Sequence, residues 1–218
     1  MKAVVFDLDD TLFDHSSSVA ATLRAWVPSF GGGPLTDELV AQWFVVEHRN
    51  FELWLAGKLS HQDQRRGRLR DFLPLIGYPV PATDAGLDEL FTGFLDRYSQ
   101  NWAAFPDALP ALEVAKSNGW RIGVLTNGIT QQQNAKLAAI GLADHIDVVS
   151  TSEGLGFSKP APQSYLLTCQ ALGVSPAETL MIGDNLDKDV LGARAAGLTA
   201  EHLDRAAGVT LAQLVRAV

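Results

Sequence analysis

The stretch AVVFDLDDT, Ala3 to Thr11, decides the fold. Its first four residues, Ala3 to Phe6, are apolar without interruption. A strand buried on both faces, as in a parallel sheet, reads as such a run rather than as an alternation. Asp7, Asp9 and Asp10 then arrive within four positions, followed by Thr11. Carboxylates crowded at a strand end repel one another and cost free energy to desolvate. A solvated acidic turn is the plain reading of such a cluster. A bound cation is the functional one, because it offsets the repulsion and takes hard oxygen ligands.

Beyond this strand the chain has two textures. From about residue 106 onward, the runs Arg121–Leu125, Ile146–Val149, Thr179–Ile182 and Leu198–Leu203 are strand candidates. Between them lie helical stretches at Ala108–Asn118, Gln131–Ile140, Gln163–Leu172 and Asp189–Ala196. Gly119, Gly141, Gly173 and Gly197 follow these helices, as C-terminal caps should. Strand and helix alternating through short links imply βαβ units and a parallel sheet, to which residues 3–7 contribute a strand. The expected fold class is therefore α/β.

The segment from residue 15 to 104 carries helical patterns at Ser17–Trp26, Asp37–Leu55, His61–Leu73 and Ala85–Tyr98. Gly31, Gly32, Gly33 and Pro34 break the first from the second, and Pro79 and Pro81 separate the third from the fourth. A crossover of roughly ninety residues far exceeds what a βαβ unit needs. Residues 15–104 are accordingly read as an inserted helical cap, and residues 1–14 with 105–218 as the core. Phe13 and Asp14 lead into the cap, whose closure would exclude water and strengthen the electrostatics inside.

Composition narrows the function classes. The chain has 218 residues, 47% hydrophobic and 19% charged, enough for a sizeable core. A net charge of -8 argues against nucleic-acid or membrane-surface partners, which favour basic patches. No secretory signal or run of about 20 apolar residues is evident, so a cytoplasmic, soluble protein is expected. The single cysteine, Cys169, excludes an internal disulfide and is read as a packed thiol.

Four sites share one position in this architecture. Asp7 and Asp9 end the first strand; Thr126 and Asn127 end the second, in LTNG. Lys159 follows the third in FSKPAP, where Pro160 can start a helix, and Asp184 ends the fourth in GDNLDKD, with Asp187 and Asp189 behind it. Open α/β sheets bind ligands at the carboxyl ends of their strands. Each residue has a task if the ligand is a phosphate monoester. Asp7 and Asp184 can hold a divalent cation, which suits Mg2+. Lys159 adds positive charge, and Thr126 can donate its hydroxyl to a phosphoryl oxygen. Asp9 can act as general acid and then general base, while an aspartyl-phosphate would split one hard step into two.

The set DLDDT, LTNG, a lysine followed by proline, and GDNLDKD resembles the haloacid dehalogenase superfamily, with the helical segment where that superfamily carries its cap. The resemblance implies a Rossmann-like sheet of order 5-4-1-2-3. It implies Asp7 as nucleophile, Asp9 as acid and base, and Thr126 and Lys159 as phosphate-binding residues, with Asn127 counted among the substrate-binding residues. It implies Asp7, the backbone carbonyl of Asp9 and Asp184 as Mg2+ ligands, with Asp189 orienting the metal's water shell. The expected function is hydrolysis of a small phosphorylated metabolite, a nucleotide or sugar phosphate. The family also contains 2-haloacid dehalogenases, which attack carbon, need neither magnesium nor a leaving-group acid, and typically lack an acidic residue where this chain has Asp9. A receiver-like phospho-binding module is a third reading, disfavoured because the third strand ends in VVSTSEG with no aspartate at its tip.

Other residues attract plainer readings. His15 is read as a loop residue, though it could face the site, and the remaining histidines lack metal-ligand spacing. Arg65, Arg66, Arg68 and Arg70 are read as a solvated face from which one could bind an anionic substrate. Trp43, Trp54 and Trp102 are read as packing residues, though one could stack on a base or sugar. Substrate choice falls to cap residues, which follow no fixed motif.

Overall fold

A computed structural model describes residues 1–216. Ala3–Phe6 forms β1, with all four residues buried. It is followed by β2 (Arg121–Thr126), β3 (Val148–Thr151), β4 (Thr179–Gly183) and β5 (Thr199–His202). The order across the sheet is β3-β2-β1-β4-β5, with every adjacent pair parallel. Counted from the other edge this is the expected 5-4-1-2-3. The uninterrupted apolar run of β1 follows from its central place, since helices cover both faces of such a sheet.

The helices preceding β2 are α1 (His15–Ser29), α2 (Asp37–Leu55), α3 (His61–Phe72), α4 (Asp84–Gln100) and α5 (Ala108–Ser117). Those that follow are α6 (Thr130–Ala139), α7 (Ser152–Leu155), α8 (Pro162–Leu172), α9 (Gly192–Ala195) and α10 (Leu211–Arg216). The chain divides into two compact units, Met1–His15 with Trp102–Val218, and Ser16–Asn101.

In the first unit, Ala3, Val5, Leu125, Tyr165, Cys169, Leu172 and Met181 pack in one buried cluster. Each large apolar side chain so buried contributes about 1.5–3 kcal/mol. Cys169 is the packed thiol expected, and burial pushes its pKa up. Gly173 ends α8 in the left-handed region at φ 70°, where its N–H reaches the carbonyls of Cys169 and Gln170.

Three local expectations are corrected. The third strand starts at Val148 rather than Ile146, because Ala143–His145 forms a 3-10 turn ending at Ile146. Pro162, not Pro160, opens α8; the Lys159–Pro160 peptide is cis. The helix expected from Asp189 begins instead as a π-helical turn, Leu186–Leu191, that leads into α9.

The second unit is a helical assembly with its own core. Thr36, Ser60 and Thr83 cap α2, α3 and α4 by accepting from the N–H groups of Leu39, Asp63 and Gly86. Trp26, Trp43, Phe72 and Phe94 form its aromatic centre, with Trp43 between Phe72 at 5.0 Å and Phe94 at 5.1 Å. The arginine run is not uniformly solvated. Arg68 is buried in an ion pair with Glu47, and Arg66 pairs with Asp63, Asp84 and Asp88. Arg70 pairs with Asp84, and Arg65 lies over the Phe91 ring, where burial lowers its pKa to about 10. Among the described residues, no helix is long and apolar enough to cross a membrane.

Candidate active site

The site is built at the carboxyl ends of β1, β2 and β4. Phe6 is level with Val124 on one side and Ile182 on the other. The Asp7 N–H continues the ladder to the Ile182 carbonyl at 2.9 Å. Thr126 and Asp184 emerge from the neighbouring strands along the same edge. After Asp7 the chain turns tightly. The Leu8 carbonyl accepts from the N–H groups of Leu12 and Phe13, and Asp10 takes φ 59°. Aspartate tolerates this left-handed conformation better than most residues, so Asp10 has a conformational task in the turn.

Two carboxylates two positions apart thereby enter different surroundings. Asp7 is buried, and its Oδ1 accepts from the Lys159 ammonium at 2.5 Å. Lys159 Nζ also donates to Asp189 Oδ1 at 2.6 Å. Carboxylate oxygens of Asp7, Asp184 and Asp189 all lie within 4.8 Å of one another. Burial raises the Asp7 pKa well above its ordinary value; Lys159 opposes this, and Asp189 and Asp184 add to it. Burial and Asp189 likewise push Asp184 up to about 6. Burial works against the Lys159 charge, but Asp189 and Asp7 outweigh it and hold its pKa above the usual lysine value.

Asp9 is not a member of that cluster. Its Oδ1 accepts from Lys136 Nζ at 2.5 Å and its Oδ2 from Gln133 Nε2 at 3.2 Å. Its removal from water favours the neutral acid, yet Lys136, His15 and Gln133 together lower the pKa. His15 is the first residue of α1 rather than a loop residue, with Nδ1 4.0 Å from Asp9 Oδ1.

Thr126 is fully buried and accepts from Gln133 Nε2 at 2.6 Å. Asn127, expected among the substrate-binding residues, grips the Lys159 backbone. Its Oδ1 accepts from the Lys159 N–H at 2.8 Å and its Nδ2 donates to the Lys159 carbonyl at 3.0 Å. With both ends of its carboxamide so engaged, Asn127 positions Lys159. Asp189 is also engaged at both oxygens, by Lys159 and by the Asn185 N–H at 3.0 Å. A Cβ on Gly183 would lie 2.3 Å from the Asp189 carboxyl, so only glycine permits this approach. Asp187 is exposed and stands outside the carboxylate cluster.

The donor set fits a hard divalent cation: three carboxylates lie together, burial first and their neighbours second raise the pKa values of Asp7 and Asp184, and Lys159 pairs with Asp7 and Asp189. Sequence reasoning missed Gln133 and Lys136. Their signal was spacing, because residues 133, 136 and 137 fall on one helical face, and Leu137 marks that face as buried.

A family model described as haloacid dehalogenase-like hydrolase matches residues 1–197. The chain is 42% identical over 210 residues to the phosphatase MT3486 of Mycobacterium tuberculosis, covering 94% of this chain and 88% of that protein. It is 30% identical over 213 residues to the (S)-2-haloacid dehalogenase of Xanthobacter autotrophicus, covering 98% and 79%. Among solved structures, the HAD-hydrolase YfnB of Bacillus subtilis, bound to magnesium, superposes with a TM-score of 0.77 at 25% identity, covering 93% of this chain and 88% of that one.

Proposed function

Because this chain belongs to the haloacid dehalogenase-like hydrolases, we propose that it is a magnesium-dependent phosphatase. Its substrate is a small phosphorylated metabolite, of the nucleotide or sugar phosphate kind. The first unit is its catalytic core and Ser16–Asn101 its cap. The observation that carries this reading is the contrast between Asp7, in the lysine and carboxylate cluster, and Asp9, held apart from it.

In this reading an Asp7 carboxylate oxygen attacks phosphorus as the bond to the leaving oxygen breaks. Asp9 gives its proton to that oxygen. Asp9 then takes a proton from water, which attacks the aspartyl-phosphate, releases inorganic phosphate and restores Asp7. Lys159 offsets charge between nucleophile and phosphate, and Thr126 donates to a phosphoryl oxygen. A substrate dianion beside Asp9 raises its pKa, which favours the protonated acid the first step needs. Asp7, the Asp9 carbonyl and Asp184 would hold Mg2+, with Asp189 behind them. When bound, the cation would neutralise the crowded carboxylates and let a dianion approach Asp7.

Dehalogenation is the second reading, favoured by the Xanthobacter relative. It uses the same nucleophile but leaves Asp9 without a proton to deliver. The two readings separate in one assay. Phosphate release from p-nitrophenyl phosphate should require Mg2+, fall with EDTA and disappear in Asp7→Asn. Unchanged turnover in that variant would sink the mechanism, and metal-independent halide release from 2-chloropropionate would favour dehalogenation. The receiver-like module is set aside, since the chain belongs to a hydrolase family.

A further inference from the structure

We infer that Lys136 and Gln133 are positioning residues that fix the Asp9 carboxylate, and that Gln133 ties it to Thr126. The inference rests on the phosphatase reading, because that reading gives Asp9 a proton to deliver.

Both side chains come from α6, and both are almost wholly buried, at 3% and 2% exposure. Each oxygen of Asp9 has its own donor, Lys136 Nζ at 2.5 Å on Oδ1 and Gln133 Nε2 at 3.2 Å on Oδ2. A carboxylate on a loop can sample several rotamers; two donors of fixed origin select one. The Lys136 ammonium also lies 4.8 Å from the centre of the Phe13 ring, four residues beyond Asp9 on the same loop.

Stability alone does not account for this pair. A buried ion pair is often no more stabilising than apolar residues of similar volume, and α6 presents Leu137 from the same face. The polar pair is explained if Asp9 must be held within reach of a leaving oxygen.

Gln133 adds a second link. Its amide nitrogen has two hydrogens and two acceptors, Asp9 Oδ2 and Thr126 Oγ1 at 2.6 Å. An amide oxygen in that place would face a carboxylate, so the network sets the amide's orientation. Because Thr126 accepts from Gln133, its own proton is directed elsewhere, where a phosphoryl oxygen can take it. The helix that follows β2 thus holds both the threonine ending that strand and the acid on the next strand's loop.

The test compares kcat/KM for two esters that share a ring. p-Nitrophenyl phosphate has a good leaving group and needs little acid assistance, whereas phenyl phosphate needs more. Lys136→Met should lower kcat/KM for phenyl phosphate roughly tenfold more than for p-nitrophenyl phosphate. Lys136→Arg should restore part of the phenyl phosphate rate. Added to Asp9→Asn, Lys136→Met should change kcat/KM for p-nitrophenyl phosphate by less than about twofold, because its effect passes through Asp9. If Lys136→Met does not fold, Gln133→Leu serves under the same comparison, and should also raise KM through Thr126. Equal losses for the two esters, or a further loss in the Asp9→Asn background, would overturn the positioning role alone. A wild-type protein inert toward both esters would overturn the phosphatase reading and this inference with it.

Discussion

Asp7 and Asp9 are separated by one leucine, yet burial and two carboxylates push one pKa up while Lys136, His15 and Gln133 bring the other down. The two side chains meet different neighbours, Lys159 at Asp7, and Lys136 with Gln133 at Asp9. The residues around Lys159 show a similar economy: Asn127 holds its backbone while Asp7 and Asp189 hold its ammonium. Asn127→Ala should therefore lower kcat/KM about 10- to 100-fold by letting the ammonium shift, with a smaller effect on stability. Steady-state kinetics beside a melting curve check this, and an unchanged kcat/KM would mean the loop holds itself. At this scale Asp7, Thr126 and Asp184 were legible because each ends an apolar run, Asp9 because it follows Asp7 by two positions, and Lys159 because a proline follows it in the loop after the third strand. Gln133 and Lys136 were harder to read, because polar residues on a helix normally face water and Leu137 alone marks this face as buried. The hold of Asn127 on Lys159 was not legible, because it depends on a partner 32 positions away.

At the scale of elements, β1 and β4 were legible from continuous apolar runs, and α2 appears over the expected residues, Asp37–Leu55. Boundaries were lost where hydrogen bonding competes with pattern. Ile146 continues the apolar run but closes a 3-10 turn, and Asp189 sits inside a π-helical turn that no periodicity announces. The loop after β1 is anchored from the far end of the chain. Arg205 donates to the Thr11 carbonyl at 2.7 Å, pairs with Asp107 at 3.1 Å and lies 3.6 Å from the centre of the Phe105 ring. Asp107 also accepts from the Leu211 N–H at 2.9 Å, at the start of α10. Removing the guanidinium in Arg205→Ala should cost about 1–3 kcal/mol, read from a urea denaturation midpoint. A loss below about 0.5 kcal/mol would mean that these contacts carry no net stabilisation.

At the scale of the molecule, the first unit is assembled from both ends of the chain, so its site joins residues as far apart as Asp7 and Asp189. Burial of Asp184 beside other carboxylates has a consequence for stability. Asp184 is raised from 3.8 to about 6, so the folded state holds its proton more tightly than the unfolded chain. Its contribution is full below pH 3.8 and is lost as pH rises through about 6. A cation that replaces the proton should restore stability where the carboxyl is ionised. Magnesium should therefore raise Tm at about pH 7.5 and have little effect at about pH 4.5. An equal effect at both values would count against these carboxylates as ligands.

In the proposed mechanism Asp7 carries the phosphoryl group. The most direct measurement is mass spectrometry of the Asp9→Asn protein, acid-quenched after mixing with p-nitrophenyl phosphate and Mg2+ and then digested. The added mass of one phosphoryl group is expected on the peptide containing Asp7, and is absent when Asp7→Asn is also introduced. Turnover by the wild-type protein with no phosphoryl on that peptide, or with the phosphoryl on another, would contradict that mechanism.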